Sequence, residues 1–179
     1  MRNSKWRTSL VAVSIAAASA LGSGAAFAQQ KVGPVEDAIR VVKVPKGQPI
    51  VIGTYHVLSG ADTALGLDTQ RGAVVAADDL GNKLLGHPIK FVHEDDGCNA
   101  EGGQTAATKI AANQQVVVAL GSACSSATRP AAPILWKAGI PDIATAASSP
   151  VLTAPDRGPD YQGLTRVVYN DLWAGREVA

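Results

Sequence analysis

Apolar runs and amphipathic segments alternate along the chain from about residue 48 onward. Five short runs are apolar or rich in β-branched residues, and the longest of them lack a polar face, as strands buried on both sides of a parallel sheet do. They cover residues 50–57, 89–92, 115–120, 142–145 and 164–169. Between them, small and apolar residues recur at the spacing of a helix face. The predicted helices cover residues 65–80, 99–113 and 131–137.

The alternation of strands and helices predicts an α/β fold, a doubly wound parallel sheet with helices on both faces in three αβα layers. Ligands of such sheets bind outside the carboxyl ends of the strands, near the point where strand order reverses. The loops that end at this edge are therefore the candidates for a site. They cover residues 58–66, 95–100, 121–128 and 145–149.

The start of the third helix is ambiguous because two prolines lie close together in it. A helix that starts near Ala131 tolerates Pro130 in its first turn. Pro133 lies deeper, where its missing N–H and its ring disfavour regular helix. The pattern predicts either a later start or a distorted first turn.

The amino-terminal segment has the pattern of an export signal. Basic residues precede an apolar run over 9–21, and Ala26-Phe27-Ala28 offers a small-x-small cleavage site. The alternative, a membrane anchor, is disfavoured because the run is rich in Ala and Ser and shorter than the roughly 20 residues that span a bilayer. We predict a signal peptide over 1–28, export to the periplasm and no membrane insertion after cleavage. Residues 29–47 are polar and aperiodic and are predicted to be a flexible mature amino terminus.

Composition limits the classes of partner. Loss of the three basic residues of the signal changes the formal charge from +1 to −2, and aromatic residues make up only 4% of the chain. Neither a basic surface nor a stacking platform for bases is expected, so nucleic acid is excluded as a partner. The mature chain is long enough for one domain with its own core.

Cys98 and Cys124 are the only cysteines. Export favours a disulfide between them, which would close a loop of about 25 residues and stabilise the fold by about 3 kcal/mol. The alternatives are two buried thiols or a pair of metal ligands. A zinc site is disfavoured because neither a CxxC nor an HxxxH pair is present.

Two of the loops at the carboxyl edge are rich in hydroxyl groups. Residues 121–128 follow a buried strand and enter a helix, whose unpaired N–H groups and positive end favour a carboxylate or phosphate. The alternative is an ordinary Ser/Thr helix cap. Residues 145–150 follow the next strand and are predicted to face the same crevice.

Catalytic and metal-binding patterns are weak. Residues 93–96, His-Glu-Asp-Asp, could suggest a metal or an acid–base pair, but solvated carboxylates at a strand end explain them better. The sequence has no GxSxG elbow and no glycine-rich nucleotide motif. We therefore expect no enzyme, no bound metal and no cofactor.

Several motifs taken together point to a family. They are Ile50-Val51-Ile52-Gly53, Ser59-Gly60, Gly66, Gly72-Ala73, Glu94-Asp95-Asp96-Gly97-Cys98, Gly121-Ser122-Ala123-Cys124-Ser125-Ser126, Thr128, Pro130, Gly139-Ile140-Pro141 and the turn 146–150. In these features the chain resembles the type I periplasmic binding proteins of ABC transporters, in particular the branched-chain amino-acid (Leu/Ile/Val) group. The resemblance covers nearly the whole mature chain.

The resemblance implies a two-lobe clamp that holds a free amino acid, with a disulfide at Cys98 and Cys124. It implies that Ser125 receives the ligand carboxylate, helped by backbone amides of its loop such as that of Ser126. The turn of Ala146, Ala147 and Ser148 would offer a carbonyl and a hydroxyl to the ligand head group. Leu65 occupies the position where relatives place an aromatic over the ligand side chain.

The same resemblance divides the chain into a ligand-binding lobe over 48–170 and, over 171–179, the start of a second lobe that the sequence lacks. It implies a partial substrate-binding component of an importer, with an amino acid as ligand and an ABC permease in the inner membrane as partner. The alternative function is the ligand-binding lobe of a periplasmic sensor for a small amide or carboxylated solute. We expect exposed apolar surface in one lobe alone, and very weak or no binding of leucine or valine.

Overall fold

The computed structural model describes residues 39–178. The predicted signal peptide over 1–28 and the first part of the predicted extension lie outside the described residues. Residues 39–47 form no helix or strand, yet Arg40 fastens them to the lobe. Its N–H donates to the Gly139 carbonyl at 3.0 Å, and its guanidinium donates to the carbonyls of Asn113 at 2.8 Å and Val116.

The described residues contain one six-stranded sheet, in the order β2-β3-β1-β4-β5-β6. The strands are β1 (Ile50–His56), β2 (Lys83–Leu84), β3 (His87–Asp95), β4 (Val116–Gly121), β5 (Asp142–Ala144) and β6 (Leu164–Arg166). All neighbours are parallel except β2, which pairs antiparallel with β3. The five predicted strands are confirmed, with shifted ends. The sequence analysis missed β2, a two-residue strand joined to β3 through Leu85 and Gly86, both at positive φ.

Four α-helices accompany the sheet in the described residues. They are α1 (Thr63–Asp79), α2 (Ala100–Ala112), α3 (Ser125–Lys137) and α4 (Asp171–Val178), and short 3₁₀ turns cover Pro150–Thr153 and Pro159–Tyr161. Helices α2 and α3 pack on the sheet face that carries Val51 and Tyr55. Helix α1 lies on the opposite face, where Ile52 and Leu120 line a cavity of about 190 Å³ beneath it. The predicted three-layer arrangement is confirmed.

The predicted start of the third helix was wrong. Helix α3 begins at Ser125, six residues before Ala131, and both prolines lie in its interior. Pro133 cannot donate to the carbonyl of Arg129, four residues earlier. That carbonyl instead accepts a 3.0 Å hydrogen bond from the Tyr161 hydroxyl. The tertiary contact replaces the missing helical bond, so a proline that looks disruptive in sequence is accommodated.

Glycine and alanine allow the two helices of one layer to pack closely. A Cβ on Gly103 of α2 would lie 2.3 Å from the Ala127 carbonyl oxygen of α3, which is far inside van der Waals contact. Ala106, Ala107 and Ala131 are fully buried in the same core. The small residues therefore allow a short distance between α2 and α3, and this distance determines where the amino terminus of α3 lies relative to α2.

Candidate ligand-binding site

The strand order places a crevice at the carboxyl edge of the sheet. The central strand β1 has β3 on one side and β4 on the other, and the chain passes from β1 through β2 to β3 and then crosses to β4. The loops that follow β1 and β4 therefore diverge, and the gap between them is where ligands of such sheets bind. The loops in question cover residues 57–62 and 122–124.

The disulfide predicted from the sequence is present. Cys98 and Cys124 are bonded, with their Cα atoms 5.3 Å apart. Cys124 is the residue before α3, and Cys98 lies in the loop between β3 and α2. The bond therefore fastens the amino terminus of α3 to the neighbouring loop at the same edge of the sheet.

A buried polar network shapes the turn between β4 and α3. The Ser122 N–H donates to Thr128 Oγ1 at 3.2 Å, and the Cys124 N–H donates to Ser122 Oγ at 2.9 Å. Thr128 Oγ1 in turn donates to the Cys124 carbonyl at 3.0 Å. Both side chains are fully buried. The Ala127 N–H also bonds to the Cys124 carbonyl, so the first-turn N–H groups of α3 without a described partner are those of Ser125 and Ser126.

The acidic run at the end of β3 has structural partners. Glu94 forms a 2.8 Å ion pair with Lys109, and Asp95 Oδ1 accepts 2.9 Å hydrogen bonds from the N–H groups of Leu58 and Gly97. Burial acts to raise the pKa of Asp95, but hydrogen bonds from Ser59, Leu58 and Gly97 outweigh it and lower that pKa.

The next carboxylate of the run, Asp96, is also a structural residue. Its side chain is fully buried and accepts a 2.8 Å hydrogen bond from the Cys98 N–H. Burial raises the pKa of Asp96. Within residues 39–178, no three His, Cys, Asp or Glu side chains cluster so as to hold a metal ion. Asp95 therefore joins the loop after β3 to the loop after β1, and Asp96 holds the loop that carries Cys98.

The two hydroxyl-rich loops meet, as the position of their strands predicts. The N–H groups of Thr145 and Ala146 point to the Ser122 carbonyl, at 3.3 and 3.5 Å. The Ser149 N–H donates to Ser125 Oγ at 3.1 Å. The turn after β5 is thus joined to the loop before α3 by two contacts and to the first residue of α3 by one.

Ser125 and Ser126 open α3 but differ in what they offer. Ser125 is half-buried, and its hydroxyl accepts from Ser149, so its own hydrogen remains available to a ligand. The exposed Ser126 donates its hydroxyl to the Cys98 carbonyl at 2.7 Å. Its side chain is therefore engaged, and its backbone N–H is the group it can present.

The turn of Ala146, Ala147 and Ser148 leaves one carbonyl and one hydroxyl without a described hydrogen-bond partner. No described residue donates a hydrogen bond to the Ala146 carbonyl or pairs with the Ser148 hydroxyl. The Ala147 side chain is fully buried in a cluster with Leu152 and Leu164. Ala147 therefore anchors the turn, while its two neighbours carry the polar groups that have no described partner.

Leu65 lies in the first turn of α1, on the loop side of the same sheet edge. Its side chain is 45% exposed and its N–H bonds to the Asp62 carbonyl. Part of its aliphatic side chain is therefore open to solvent near this edge. No described hydrogen bond joins the backbone of Leu65 to either of the two hydroxyl-rich loops.

The sequence analysis missed a cation behind the turn. The Arg166 guanidinium donates to the Ser149 carbonyl at 2.9 Å, to the Ala147 carbonyl at 3.4 Å and to the Thr153 hydroxyl. Arg166 ends β6 and is half-buried, and burial lowers its pKa. The signal that could have revealed it was an arginine within the predicted strand over 164–169, in the part of the chain that leads to the ligand edge.

The arrangement is suited to binding. A helix amino terminus, the Ser125 hydroxyl and the Ala146 carbonyl lie in neighbouring loops at one edge of the sheet, and groups of this kind suit the carboxylate and a donor group of a small solute. No helix among residues 39–178 is long and apolar enough to cross a membrane. The fold and this edge define a lobe of the solute-binding class.

The chain belongs to the periplasmic binding protein family, whose sequence model matches residues 49–171. It is 31% identical over 124 residues to an amino acid binding protein of Pseudomonas aeruginosa, covering 68% of this chain and 32% of that protein. It is also 31% identical over 134 residues to the Leu/Ile/Val-binding protein of Escherichia coli K12, covering 74% of this chain and 35% of that protein.

Solved structures give the same result. The isoleucine complex of the branched-chain amino acid transporter substrate-binding protein LivJ from Streptococcus pneumoniae superposes with a TM-score of 0.61 at 28% identity, covering 69% of this chain and 35% of that one. A leucine complex of an ABC transporter substrate-binding protein from Desulfitobacterium hafniense gives 0.62 at 27% identity, covering 73% and 37%.

These matches confirm the resemblance to branched-chain amino-acid substrate-binding proteins and the predicted fold class. The family and its solved members are solute-binding proteins and not enzymes. The chain spans about a third of the length of the relatives that it matches.

Proposed function

We propose that this chain is the amino-terminal lobe of a periplasmic substrate-binding protein that serves an ABC importer for branched-chain or related amino acids. The observation that carries the proposal is the meeting of two loops: Ser125, at the start of α3, hydrogen-bonds to Ser149 in the turn after β5. The similarity to Leu/Ile/Val-binding proteins supports the choice of ligand.

The ligand carboxylate lies at the start of α3. The first-turn N–H groups of a helix carry partial positive charge, and an anion at this end gains about 0.3–1 kcal/mol at an exposed site. Ser125 adds a hydroxyl donor and Ser126 adds a backbone N–H. The Cys98–Cys124 disulfide keeps these donors in place before the ligand arrives, which lowers the entropic cost of binding.

The ligand ammonium meets the turn after β5. The Ala146 carbonyl and the Ser148 hydroxyl are acceptors, whereas Ala147 contributes through the core beneath them. Leu65 borders the side-chain end of the ligand with an aliphatic surface. The resulting preference is for a small zwitterion with an apolar side chain.

Transport requires more than this lobe. In the proposed cycle, a second lobe closes over the ligand through a hinge, and the closed form docks on the permease of an ABC importer in the inner membrane. The proposed export signal over 1–28 places the cycle in the periplasm. A single lobe lacks the closed cleft, so we expect its affinity for an amino acid to be in the millimolar range, about −4 kcal/mol.

Amide NMR measures such weak binding residue by residue. The ¹⁵N-labelled chain is titrated with isoleucine up to tens of millimolar, and shifts are expected at Ser125, Ser126 and residues 146–149. Ser125→Ala is expected to weaken binding about tenfold or more, because a hydrogen bond to a charged group is lost. Thr108→Ala removes an exposed hydroxyl on α2 and serves as the matched control.

A ligand control tests the role of the carboxylate. Isoleucine methyl ester keeps the ammonium and the side chain, and we expect it to cause no saturable shift at Ser125 or Ser126. Equal binding of the ester, equal binding by Ser125→Ala, or an absence of any isoleucine-dependent shift in the wild-type chain would refute the proposed function.

A further inference from the structure

Three consecutive carbonyls of the turn after β5 are held by one segment of the chain. Arg166 donates to the carbonyls of Ala147 and Ser149, and the Asp171 N–H donates to the Ser148 carbonyl at 3.0 Å. Arg166 ends β6 and Asp171 begins α4, so these donors lie within six residues of each other. The turn is therefore held from behind by the stretch that joins β6 to α4.

The same contacts decide which carbonyl of the turn stays unpaired. The Ala147 side chain is fully buried, which fixes the rotation of the backbone on either side of it. The N–H groups of Thr145 and Ala146 are directed to the Ser122 carbonyl. Among the described residues, the Ala146 carbonyl has no donor. It is thus the acceptor that this turn presents to the crevice.

We infer that Arg166 is the positioning residue of the turn over 146–149. Its hydrogen bonds to the carbonyls of Ala147 and Ser149, which we call the clamp, hold the turn so that the Ala146 carbonyl and the Ser148 hydroxyl face the ligand. The role of the turn as a ligand site rests on the proposed function. The clamp itself rests only on the contacts of Arg166. Arg166 itself does not contact the ligand.

The chemistry of the clamp requires arginine. Its guanidinium is planar and carries five N–H donors in a fixed fork, so one group can serve two carbonyls and the Thr153 hydroxyl at once. A lysine ammonium keeps the positive charge but lacks the rigid planar fork that fixes those acceptors relative to one another. The substitution Arg166→Lys therefore tests whether the turn requires the geometry of the guanidinium or only its positive charge.

The first test needs no ligand. Amide hydrogen exchange is measured in the full chain at Ser149 and Asp171, whose N–H groups bond across the clamped turn, with Ile110 of the core as reference. Arg166→Lys and Arg166→Gln are both expected to exchange about tenfold faster at these two amides, the effect of losing about 1.4 kcal/mol of local stability, with Ile110 unchanged.

Arg157→Gln is the matched control. Arg157 is half-buried, its charge acts on Arg166, and no described residue accepts a hydrogen bond from its side chain. The substitution removes the same charge from the same region but leaves the fork in place. We expect wild-type exchange at Ser149 and Asp171 in this variant.

The second readout is affinity for isoleucine, from the same NMR titration. Both Arg166 variants are expected to bind about tenfold more weakly, while Arg157→Gln stays within about twofold of wild type. If isoleucine fails to bind the wild-type chain, the proposed function falls, and the exchange data still decide whether Arg166 holds the turn. Thr153→Val removes one acceptor of the fork and gives a milder form of the test should Arg166→Gln disturb the core.

Two results would overturn the inference. Wild-type exchange at Ser149 and Asp171 in Arg166→Lys would show that charge alone holds the turn. Acceleration of the same size at Ile110 in every Arg166 variant and in Thr153→Val would show a general loss of stability and no local clamp.

Discussion

The Tyr55 hydroxyl donates a 2.7 Å hydrogen bond to Asp142 Oδ2, and both side chains are buried to within 1% of their surface. The bond joins β1 to β5 across β4. Burial raises the pKa of Asp142 to about 8, against the opposing effect of hydrogen bonds from Tyr55 and the Ile143 N–H. Burial, together with the charge of Asp142, also raises the pKa of Tyr55. The carboxyl group is therefore neutral in the folded protein at pH 7.

This pair predicts a loss of stability with rising pH. In the unfolded chain the Asp142 carboxyl ionises near pH 4, whereas in the folded chain it keeps its proton up to about pH 8. Its contribution to folding is complete below pH 4 and is lost as the pH rises to 8, by up to about 1.4 kcal/mol per pH unit. Urea unfolding between pH 5 and pH 9 measures this slope.

Asp142→Asn removes the titration while keeping an acceptor for the Tyr55 hydroxyl. We expect its free energy of unfolding to vary much less between pH 5 and pH 8 than that of the wild type. The control is Asp79→Asn, at the exposed end of α1, which should leave the wild-type slope unchanged. Parallel slopes for Asp142→Asn and the wild type would contradict the prediction.

The strands and helices could be predicted because burial requires apolar residues at regular positions within each short segment. The strand over 50–57 and the helix over 65–80 are recovered as β1 and α1 almost to the residue. Helix α3 was placed too late because Pro130 and Pro133 are unfavourable in any isolated helix. The Tyr161 hydroxyl replaces the helical hydrogen bond that Pro133 cannot form, but it is distant in sequence and no local pattern predicts it.

The candidate site was predictable in outline and not in its contacts. The rule that ligands bind at the carboxyl ends of parallel strands selected the loops of Ser125 and Ser148, and the structure brings those loops together. The clamp by Arg166 was missed, because its partners lie 13 to 19 residues away and only the folded sheet sets them side by side. Sequence identifies which edge carries the site, whereas packing decides which polar groups remain unpaired.

A buried histidine predicts a second pH effect of opposite sign. His56, at the end of β1, is 1% exposed, and its Nδ1 lies 3.4 Å from Thr69 Oγ1 of α1. Burial, together with the charge of the nearby His93, lowers the pKa of His56 to about 4. In the unfolded chain the same imidazole takes up its proton near pH 6.5.

The stability associated with His56 is therefore present above pH 6.5 and is lost as the pH falls from 6.5 to about 4. His56→Gln keeps a polar side chain but does not titrate, so its stability should fall less over that interval in urea unfolding. The control is the same substitution at His87 of β3, whose Nδ1 lies 2.9 Å from the Gln48 carbonyl. This variant should retain the wild-type acid dependence. An unchanged acid dependence in His56→Gln would contradict the assignment.

Two glycines of α1 predict opposite effects of the same substitution. A Cβ on Gly66 would lie 1.9 Å from the Val57 carbonyl oxygen, so alanine there must push α1 away from the end of β1. Overpacking of this kind costs about 1–3 kcal/mol. A Cβ on Gly72 meets no atom within 4 Å, and alanine there gains about 1 kcal/mol of helix propensity.

We expect Gly66→Ala to lower the midpoint of urea unfolding and Gly72→Ala to raise it. Because α1 begins beside the crevice, Gly66→Ala should also move the amide resonances of residues 57–65, whereas Gly72→Ala should leave them in place. A Gly66→Ala variant as stable as the wild type would mean that α1 does not rest on β1 at Val57. That result would contradict the close approach of the Gly66 and Val57 backbones, which determines where the neighbouring Leu65 lies.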